Sequence, residues 1–568
     1  FTFTQPIEHA FREGDLALIY LDKEFTSTTN IGGAVLKQQF LKGAIKHINS
    51  TEIYFSLRSE LVPDSILANK TGWCIEPDQM DGNTWSTVST LTNFLSAAAS
   101  VQQLILGITP PKPPATKEYL FPEQKRLLPH QKQVITAATN ANNYYLLQGP
   151  PGTGKTSTIL PELVRLGLEQ HNHITILAFT NKAIAEIERA LETAGFDYLL
   201  LGGTEEDEGT HPRRISYLKK ERTIAQLRNW IVGKRIMLST VATFNSRKNY
   251  FTDLIQFDLL IVDEASQLLE PDLSGVLPTF NKFILIGDQN QLPAVVTQAD
   301  AFCTSTNPLM QEVGLTDLRT SLFERLYKQC QEKGWHYAIG MLTDHFRMHA
   351  EIAGLINSHY NNLLTTSLQR QGAPWQGYPN IQDYPIATAL QAHRVLFFDF
   401  AQERKRKMQV AEAEAAVELV RFIKTYGKHP DGSPFEIGII TPFRAQIAYI
   451  KHLLCEAGLE DDILVDTVER YQGQQRDIII YSLATNDNQS MLTIQALNQE
   501  GTTDRKLLVS LSRAKEQIII LGNRELAQTS ESYAQVINHL DSTNAYYNQA
   551  VTRNLFLEVE AYLQNKTT

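Results

Sequence analysis

The chain has 568 residues, which at roughly 150 residues per domain corresponds to three or four compact units. Hydrophobic residues make up 43% and charged residues 20% of it, proportions that exclude a disordered, collagenous or coiled-coil protein. The 52 basic and 62 acidic residues give a net charge of −10. Any site for a polyanion must therefore be a local groove and not a basic coat.

The first 110 residues alternate apolar and polar positions in short runs, such as 15–21 and 52–57, which turn residues separate. This pattern predicts a small N-terminal β-barrel or sandwich as an accessory domain. Residues 82–111 carry no charge, but polar residues interrupt them and apolar residues recur at helical spacing, which predicts a half-buried helix and not a membrane span. With the proline-rich linker that follows, this region should occupy residues 1–120. The chain starts at Phe1, so an upstream domain could be missing.

From about Leu127 onward, apolar runs typical of buried strands alternate with helical stretches. Buried strands between helices predict parallel sheets that are covered on both faces. We expect one α/β domain over 121–330, with a small helical insertion near 195–233, and a second over 331–568. The four cysteines show no paired spacing, which favours a reducing, cytoplasmic compartment.

Residues 149–156, with the sequence GPPGTGKT, match the phosphate-binding P-loop pattern. An apolar strand precedes them and a helix can begin directly after them, as this loop requires. Its glycines let the backbone amides face phosphates, Lys155 can reach the β- and γ-phosphates, and the Thr156 hydroxyl can bind Mg²⁺.

A second motif supplies the carboxylates that a P-loop needs. The apolar run 259–262 is followed by Asp263, suited to the Mg²⁺ shell, and by Glu264, suited to polarising the attacking water. The guanine-reading N-K-x-D motif is absent, because Asn181 and Lys182 are not followed by the required aspartate. The sequence therefore favours hydrolysis of ATP with Mg²⁺.

Taken together, these residues resemble a superfamily 1 helicase of subclass B, in the group containing the nonsense-mediated-decay helicase and the replication helicase–nuclease. The resemblance covers about 127–523. It rests on the segments that match the family's motifs in their order: 127–131 (the Q-motif), 178–181 (Ia), 239–243 (Ic), 263–267 (II), 287–293 (III), 321–326, 345–349, 441–446, 465–473 (V) and 511–515 (VI).

The resemblance implies a fold of two tandem RecA-like P-loop domains behind the accessory domain, and it assigns roles to individual residues. Catalytic roles are implied for Lys155, Glu264, Gln291, Arg347 and Arg513. Nucleotide contacts are implied for Gln131, Gly149, Gly152, Thr153, Gly154, Lys155, Thr156, Ser157, Phe346 and Gly473. Contacts to the nucleic-acid backbone are implied for Thr180, Asn181, Ser239, Thr240, Thr243, Thr441, Pro442 and Thr467.

Three positions depart from the family's pattern. Gln475 replaces a glutamate and cannot carry its charge, and Leu508 replaces an asparagine before motif VI. Phe346 stands where a tyrosine is expected near the adenine, so stacking is possible and a hydroxyl contact is not.

The implied function is a monomeric ATP-dependent motor that moves 5′ to 3′ on single-stranded nucleic acid and unwinds duplexes, without a membrane. Two alternatives remain open: an ATPase that remodels protein–nucleic-acid complexes, and an ATP-gated clamp that does not unwind. Members of this group act on either DNA or RNA, and we favour DNA.

Overall fold

The computed structural model describes a defined part of the chain: residues 16–21, 41–48, 52–57, 73–77, 82–123, 127–202, 213, 223–296, 298–378, 385–402 and 407–557. The chain divides into two compact units, Phe1–Ser89 and Thr90–Thr568. About half of the insertion expected near 195–233, residues 203–212 and 214–222, lies outside the described residues. Within the described part, no helix combines the length and the apolarity needed to cross a membrane.

The first unit contains a small antiparallel sheet with the strand order β3-β2-β1-β4. Its strands are β1 (Leu16–Leu21), β2 (Leu41–Ile48), β3 (Ile53–Leu57) and β4 (Trp73–Pro77). The segments that would close this sheet into the predicted barrel lie outside the described residues. The antiparallel β character is confirmed, and closure stays a prediction.

The uncharged stretch is helical, as predicted, but it forms two helices: α1 (Gly82–Leu95) and α2 (Ala99–Ile105). Ile105 is buried in the core of the following domain, and Phe94, Val101 and Leu104 pack against that core. The packed portion therefore lies mainly in α2, together with Phe94 of α1, whereas Leu95 is 75% exposed.

A seven-stranded parallel sheet follows, in the order β11-β5-β10-β9-β6-β8-β7. Its strands are β5 (Tyr144–Gln148), β6 (Ile174–Ala178), β7 (Leu199–Leu201), β8 (Ile236–Thr240), β9 (Leu259–Asp263), β10 (Lys282–Gly287) and β11 (Ile339–Met341). The helices of this domain are α3 (Pro129–Asn140), α4 (Leu160–Gln170), α5 (Asn181–Thr193), α6 (Ile224–Val232), α7 (Val241–Arg247), α8 (Glu270–Leu273), α9 (Asp300–Cys303), α10 (Pro308–Glu312) and α11 (Leu322–Glu332).

A six-stranded parallel sheet forms the next domain, in the order β16-β15-β17-β18-β14-β19. The short pair β12 (Asp344–His345) and β13 (Thr365–Thr366) comes first, and the six strands are β14 (Val395–Asp399), β15 (Ile437–Ile440), β16 (Leu464–Asp466), β17 (Arg476–Ser482), β18 (Ala514–Gly522) and β19 (Tyr546–Tyr547). Its helices are α12 (Ala350–Asn357), α13 (Pro385–Ala392), α14 (Val410–Tyr426), α15 (Arg444–Glu456), α16 (Asn488–Thr493), α17 (Arg505–Leu511), α18 (Arg524–Ala527) and α19 (Glu531–Ser542).

Successive strand residues point to opposite faces, which explains why both sheets need apolar residues at every position. Leu146 and Leu285 belong to one core of the first sheet, and their neighbours Leu147 and Ile286 belong to the core on its other face. The second sheet is covered in the same way by two further cores. The predicted α/β fold with two tandem RecA-like domains is therefore confirmed.

The strand register brings the predicted motifs to one edge of the first sheet. Ala178 pairs with Asp263 and with Thr240, and Gly287 pairs with Gln148, so the carboxyl ends of five strands lie side by side. Strand β11 also belongs to this sheet, so the first domain's sheet extends past the predicted division at residue 330.

Candidate nucleotide site and nucleic-acid interface

The P-loop leaves the end of β5 and enters a π-helical turn at Lys155–Ile159 that continues into α4. Gly152 and Gly154 both have φ near +78°, a left-handed conformation that favours glycine. A Cβ added at Gly149 would lie 2.1 Å from the Lys155 Cδ. Glycine at 149 therefore leaves the space that the lysine side chain occupies.

Thr156 and Asp263 form the pair that could hold a metal ion. The Thr156 Oγ1 donates a hydrogen bond of 2.7 Å to Asp263 Oδ2. Asp263 is 1% exposed at the end of β9, and burial together with the neighbouring Glu264 raises the pKa of its carboxyl. A buried pair of oxygen ligands at the mouth of a phosphate loop fits Mg²⁺, whose positive charge would favour the ionised carboxylate.

Glu264 is held in a left-handed conformation, with φ 54°, directly after this strand. Its Oε1 lies 3.7 Å from Lys155 Nζ, and its Oε2 accepts a hydrogen bond of 3.2 Å from Gln267 Nε2. Non-glycine residues seldom adopt such a conformation, and those that do are concentrated at functional sites. The turn carries the Glu264 carboxylate into the cavity that the P-loop borders.

A single cavity of about 1080 Å³ lies between the two RecA-like domains and contains nearly all of the predicted nucleotide site. The predicted residues that line it are Gln131, Gly152, Thr153, Gly154, Lys155, Thr156, Ser157, Glu264, Gln291, Phe346, Arg347, Gly473 and Arg513. Gly149 and Asp263 lie behind this lining and position Lys155 and Thr156. Gln475 also lines the cavity, so the position that departs from the family pattern does face the site.

Arg513 reaches the cavity from the second domain. It is 2% exposed, its Nε donates to the Val509 carbonyl at 3.2 Å, and its Nη2 donates to Gln291 Oε1 at 3.4 Å. Burial and the nearby Arg347 lower the pKa of Arg513 to about 9. Because this value is above neutral pH, the guanidinium stays charged. Its positive charge is buried beside a second cation, which suits an anionic ligand.

Arg347 lies beside the P-loop. The Phe346 amide donates to the Gly152 carbonyl at 2.9 Å, and a Cβ at Gly152 would come within 2.5 Å of the Arg347 Cβ. Arg347 Nη1 donates to the Ser512 carbonyl at 3.2 Å, whereas its buried Nε has no partner. Burial lowers the pKa of Arg347 to about 10, so it too remains a cation.

Gln131 lies at the cavity wall with one unpaired amide donor. It is 3% exposed, and its Oε1 accepts a hydrogen bond of 3.1 Å from the Leu128 amide at the start of α3. Its buried Nε2 has no partner and lies at the cavity wall. A buried donor without an acceptor is costly, so a ligand acceptor such as an adenine nitrogen would satisfy it.

Sequence reasoning missed two buried residues that organise the site. Asp288 accepts hydrogen bonds from Gln148 Nε2 at 3.3 Å, from Gln291 Nε2 at 2.7 Å and from the Tyr360 hydroxyl at 2.8 Å. Burial raises the pKa of its carboxyl, which these donors oppose. The sequence signal for Asp288 was its place in the segment 287–293, whereas Tyr360 lies in no recognised motif.

Glu186 is a further cavity residue that the sequence did not indicate. It lies on α5, one turn after Lys182, whose Nζ donates to the Gln472 carbonyl at 2.7 Å. Burial raises the pKa of Glu186, which the Lys182 charge opposes. Helix α5 therefore touches both the cavity and the segment 465–473 of the second domain.

The predicted nucleic-acid contacts lie at the carboxyl ends of strands in both sheets. Thr180 caps α5 by accepting from the Ala183 amide at 3.1 Å, and Thr240 caps α7 by accepting from the Thr243 amide at 3.2 Å. Thr180 and Asn181 are exposed, and Thr240, Thr243, Pro442 and Thr467 are half-buried.

Two of these predictions need correction. Ser239 is completely buried within β8, and its hydroxyl donates to the carbonyls of Leu201 and Thr240. Thr441 is also completely buried, and its Oγ1 has no partner. The structure does not present either hydroxyl at the protein surface.

Comparison with known proteins gives two matches to family models described as AAA domains, over residues 131–297 and 318–525. The DNA replication ATP-dependent helicase/nuclease DNA2 of Gallus gallus is 27% identical over 527 residues, covering 89% of this chain and 48% of that protein. The protein of the same name from Homo sapiens is 25% identical over 541 residues, covering 88% and 48%. The chain spans about half the length of these relatives.

Among solved structures, the arterivirus nonstructural protein 10 helicase in complex with DNA aligns over 70% of this chain and 65% of its own, with 15% identity and a TM-score of 0.34. The two family matches coincide with the two domains that enclose the cavity. Together with the helicase/nuclease relatives, they show that the chain belongs to the superfamily 1 helicases, in the group of the replication helicase–nucleases.

Proposed function

We propose that this protein is an ATP-dependent motor that moves 5′ to 3′ along single-stranded DNA and unwinds duplexes. One observation carries the proposal: Lys155 and Glu264 of the first domain and Arg347 and Arg513 of the second line one cavity. A site divided in this way is completed only while the two domains are together, which couples hydrolysis to domain movement.

The cavity suits ATP with Mg²⁺. The unpartnered Gln131 Nε2 would bind the adenine, Phe346 would stack near it, and the P-loop amides and Lys155 would hold the phosphates. Thr156 and Asp263 would hold the metal ion. Bound Mg²⁺ neutralises charge on the phosphate oxygens.

Hydrolysis would proceed from the protein's own charged groups. Glu264 would orient and polarise the attacking water, and Lys155 would stabilise the transferring phosphoryl group. Arg347 and Arg513 would stabilise the charge that develops in the transition state, as arginine fingers do. Gln291 would align Arg513, since its Oε1 accepts from that guanidinium while its Nε2 donates to Asp288.

A single strand would lie across the carboxyl ends of both sheets. Thr180, Asn181 and Thr243 would contact it from the first domain, and Pro442 and Thr467 from the second. Contacts of this kind reach the backbone and not base edges, so binding should be largely independent of sequence. DNA is proposed because the matched relatives are named as DNA replication helicases.

The test is ATP turnover by the purified chain with matched single-stranded DNA and RNA, followed by unwinding of duplexes with a 5′ or a 3′ tail. We expect stimulation by DNA and opening of the 5′-tailed duplex alone. Opening from a 3′ tail would contradict the direction. Strand-stimulated turnover without opening of either duplex would instead support an ATPase that remodels protein–nucleic-acid complexes, and ATP binding without turnover would support a clamp.

A further inference from the structure

Two consecutive residues of α11 form buried ion pairs in different directions. Arg325 pairs with Glu270, and its Nη2 lies 3.2 Å from Glu270 Oε2. Glu324 pairs with Arg505 of the second domain, with Arg505 Nη2 2.6 Å from Glu324 Oε1. Helix α11 is therefore fixed by charge to both domains.

Each of these contacts is close in the chain to a residue that faces the nucleotide cavity. Glu270 begins α8, the next helix after Glu264, and Leu269 forms an isolated β-bridge with Ser321, which caps α11. Arg505 begins α17, whose end at Leu511 leads directly to Arg513. The path from Glu264 through α11 to Arg513 thus consists of short, hydrogen-bonded steps.

The pair of Glu324 and Arg505 is incompletely satisfied. Their side chains are 16% and 8% exposed, yet the buried Arg505 Nε has no hydrogen-bond partner. Burial raises the pKa of Glu324, and the Arg505 charge opposes this rise. The cost of desolvation cancels much of the attraction in such a pair, whereas removal of one partner leaves the other charge buried and unpaired. A pair of this kind contributes more to a defined arrangement than to net stability.

A nearby pair supplies a control. Lys328, one turn further along α11, pairs with Glu500 in the loop before α17, and the Nζ–Oε1 distance is 2.6 Å. These side chains are about half exposed, at 52% and 48%. Exposed pairs contribute little, so this one links α11 to that loop without fixing it.

We propose that Glu324 and Arg505 are positioning residues, which set how far Arg513 reaches toward the nucleotide by locking α17 to α11. Their role rests on the proposed ATPase function. Neither side chain lines the nucleotide cavity; they act through α17, which ends two residues before Arg513.

The experiment compares Glu324→Gln, Arg505→Gln, the charge exchange Glu324→Arg with Arg505→Glu, and the control Lys328→Ala with Glu500→Ala. For each variant, kcat and KM for ATP are measured with saturating single-stranded DNA, together with the melting temperature. Each single variant should lower kcat on the order of 10- to 100-fold, as small misplacements of catalytic groups do, with KM within about twofold. The charge exchange should recover part of kcat, and the control should stay within about twofold.

Unchanged kcat in both single variants would overturn the positioning role while leaving the proposed function intact. So would a loss of kcat that the control pair reproduces, or failure of both single variants to fold, since either result would assign the pair to stability alone. A wild-type protein that does not turn over ATP with any strand would instead overturn the proposed function.

Discussion

Arg513 donates a hydrogen bond across the cleft to Gln291, with 3.4 Å between its Nη2 and the amide oxygen. The same glutamine amide donates to Asp288, which the P-loop strand also contacts through Gln148. The arginine of the second domain is thereby connected to the phosphate-binding edge of the first. Much of the expected behaviour of the site depends on this connection.

Replacement of Arg513 by alanine should lower strand-stimulated ATP turnover on the order of 10³-fold, because it removes the cation that stabilises the charge of the transition state. Strand binding should stay near wild type, and ATP binding should weaken modestly. Lysine should rescue poorly, since an ammonium cannot reproduce the planar two-point contact. Steady-state turnover and fluorescence anisotropy of a labelled strand measure both effects. Turnover at the wild-type stimulated rate would contradict the divided site.

Lys155→Ala should reduce turnover by about 10²-fold or more, since it removes the cation that faces the phosphates. The fold should persist, because Lys155 lines the cavity between the two domains and does not belong to an apolar core. Circular dichroism and an ATPase assay on the same preparation test this. Normal turnover would show that residues 149–156 are not the phosphate-binding loop.

Glu264→Gln should separate binding from hydrolysis. ATP should still bind through Lys155 and the P-loop, whereas turnover should fall by about 10²- to 10⁴-fold without the carboxylate that polarises water. We expect the variant to remain trapped on single-stranded DNA in the presence of ATP. Nucleotide affinity by calorimetry provides the check, and loss of ATP binding would assign Glu264 a structural role.

His345 should make the fold sensitive to acid. It is completely buried, its Nδ1 faces Gln371 Nε2 at 3.1 Å, and burial, with the Arg347 and Arg370 charges, lowers its pKa from 6.5 to about 4. The unfolded chain therefore binds this proton more readily. The contribution of His345 to the free energy of unfolding is fully present above about pH 6.5. It is lost as the pH falls toward 4, which lowers this free energy by up to about 3 kcal/mol.

Urea unfolding of the wild type and of His345→Gln across this pH range measures that difference. The unfolding free energy of the wild type should fall more steeply with acid than that of the variant. His349 also has a pKa lowered to about 4 and is retained in both proteins, so it cancels from the comparison. Parallel slopes would show that His345 is not a source of the acid sensitivity.

Affinity for single-stranded DNA should fall steeply with salt, although the chain carries a net charge of −10. Binding must come from a limited number of groove cations and amides, and the slope of log affinity against log salt reports the phosphates that they neutralise. Titration between about 50 and 200 mM salt gives this slope. An affinity that does not depend on salt would point to a partner other than nucleic acid.

The sequence was most informative where a local pattern determines the structure. Apolar runs such as 259–262 predicted buried parallel strands, because only a sheet covered on both faces needs them. The P-loop was recognisable because its glycines, Lys155 and Thr156 are contiguous. The two α/β domains, the P-loop and Glu264 followed from such local signals, whereas the resemblance to the helicase family implied the roles of Gln131, Arg347 and Arg513.

The remainder depends on contacts between distant segments. Asp288 and Tyr360 are 72 positions apart and meet through a hydrogen bond that no spacing rule predicts. Ser239 lies in a motif-like segment, but its hydroxyl is buried and donates to the carbonyls of Leu201 and Thr240. Motif matching identifies the residue type at a position, and burial depends on which segments pack over it.

Strand β11 has a mechanical consequence. It hydrogen-bonds beside the P-loop strand, with Met341 paired to Gln148, and only a few residues separate it from Arg347. A rotation of the second domain about this connection moves each atom in proportion to its distance from the axis. Arg347, with the shorter lever arm, should remain beside Gly152 through an opening stroke, while Arg513 sweeps a wider arc. Arg347 would then keep its place at the P-loop, and Arg513 would approach or leave the phosphate as the domains rotate. The angle between the domains would therefore determine when ATP is hydrolysed.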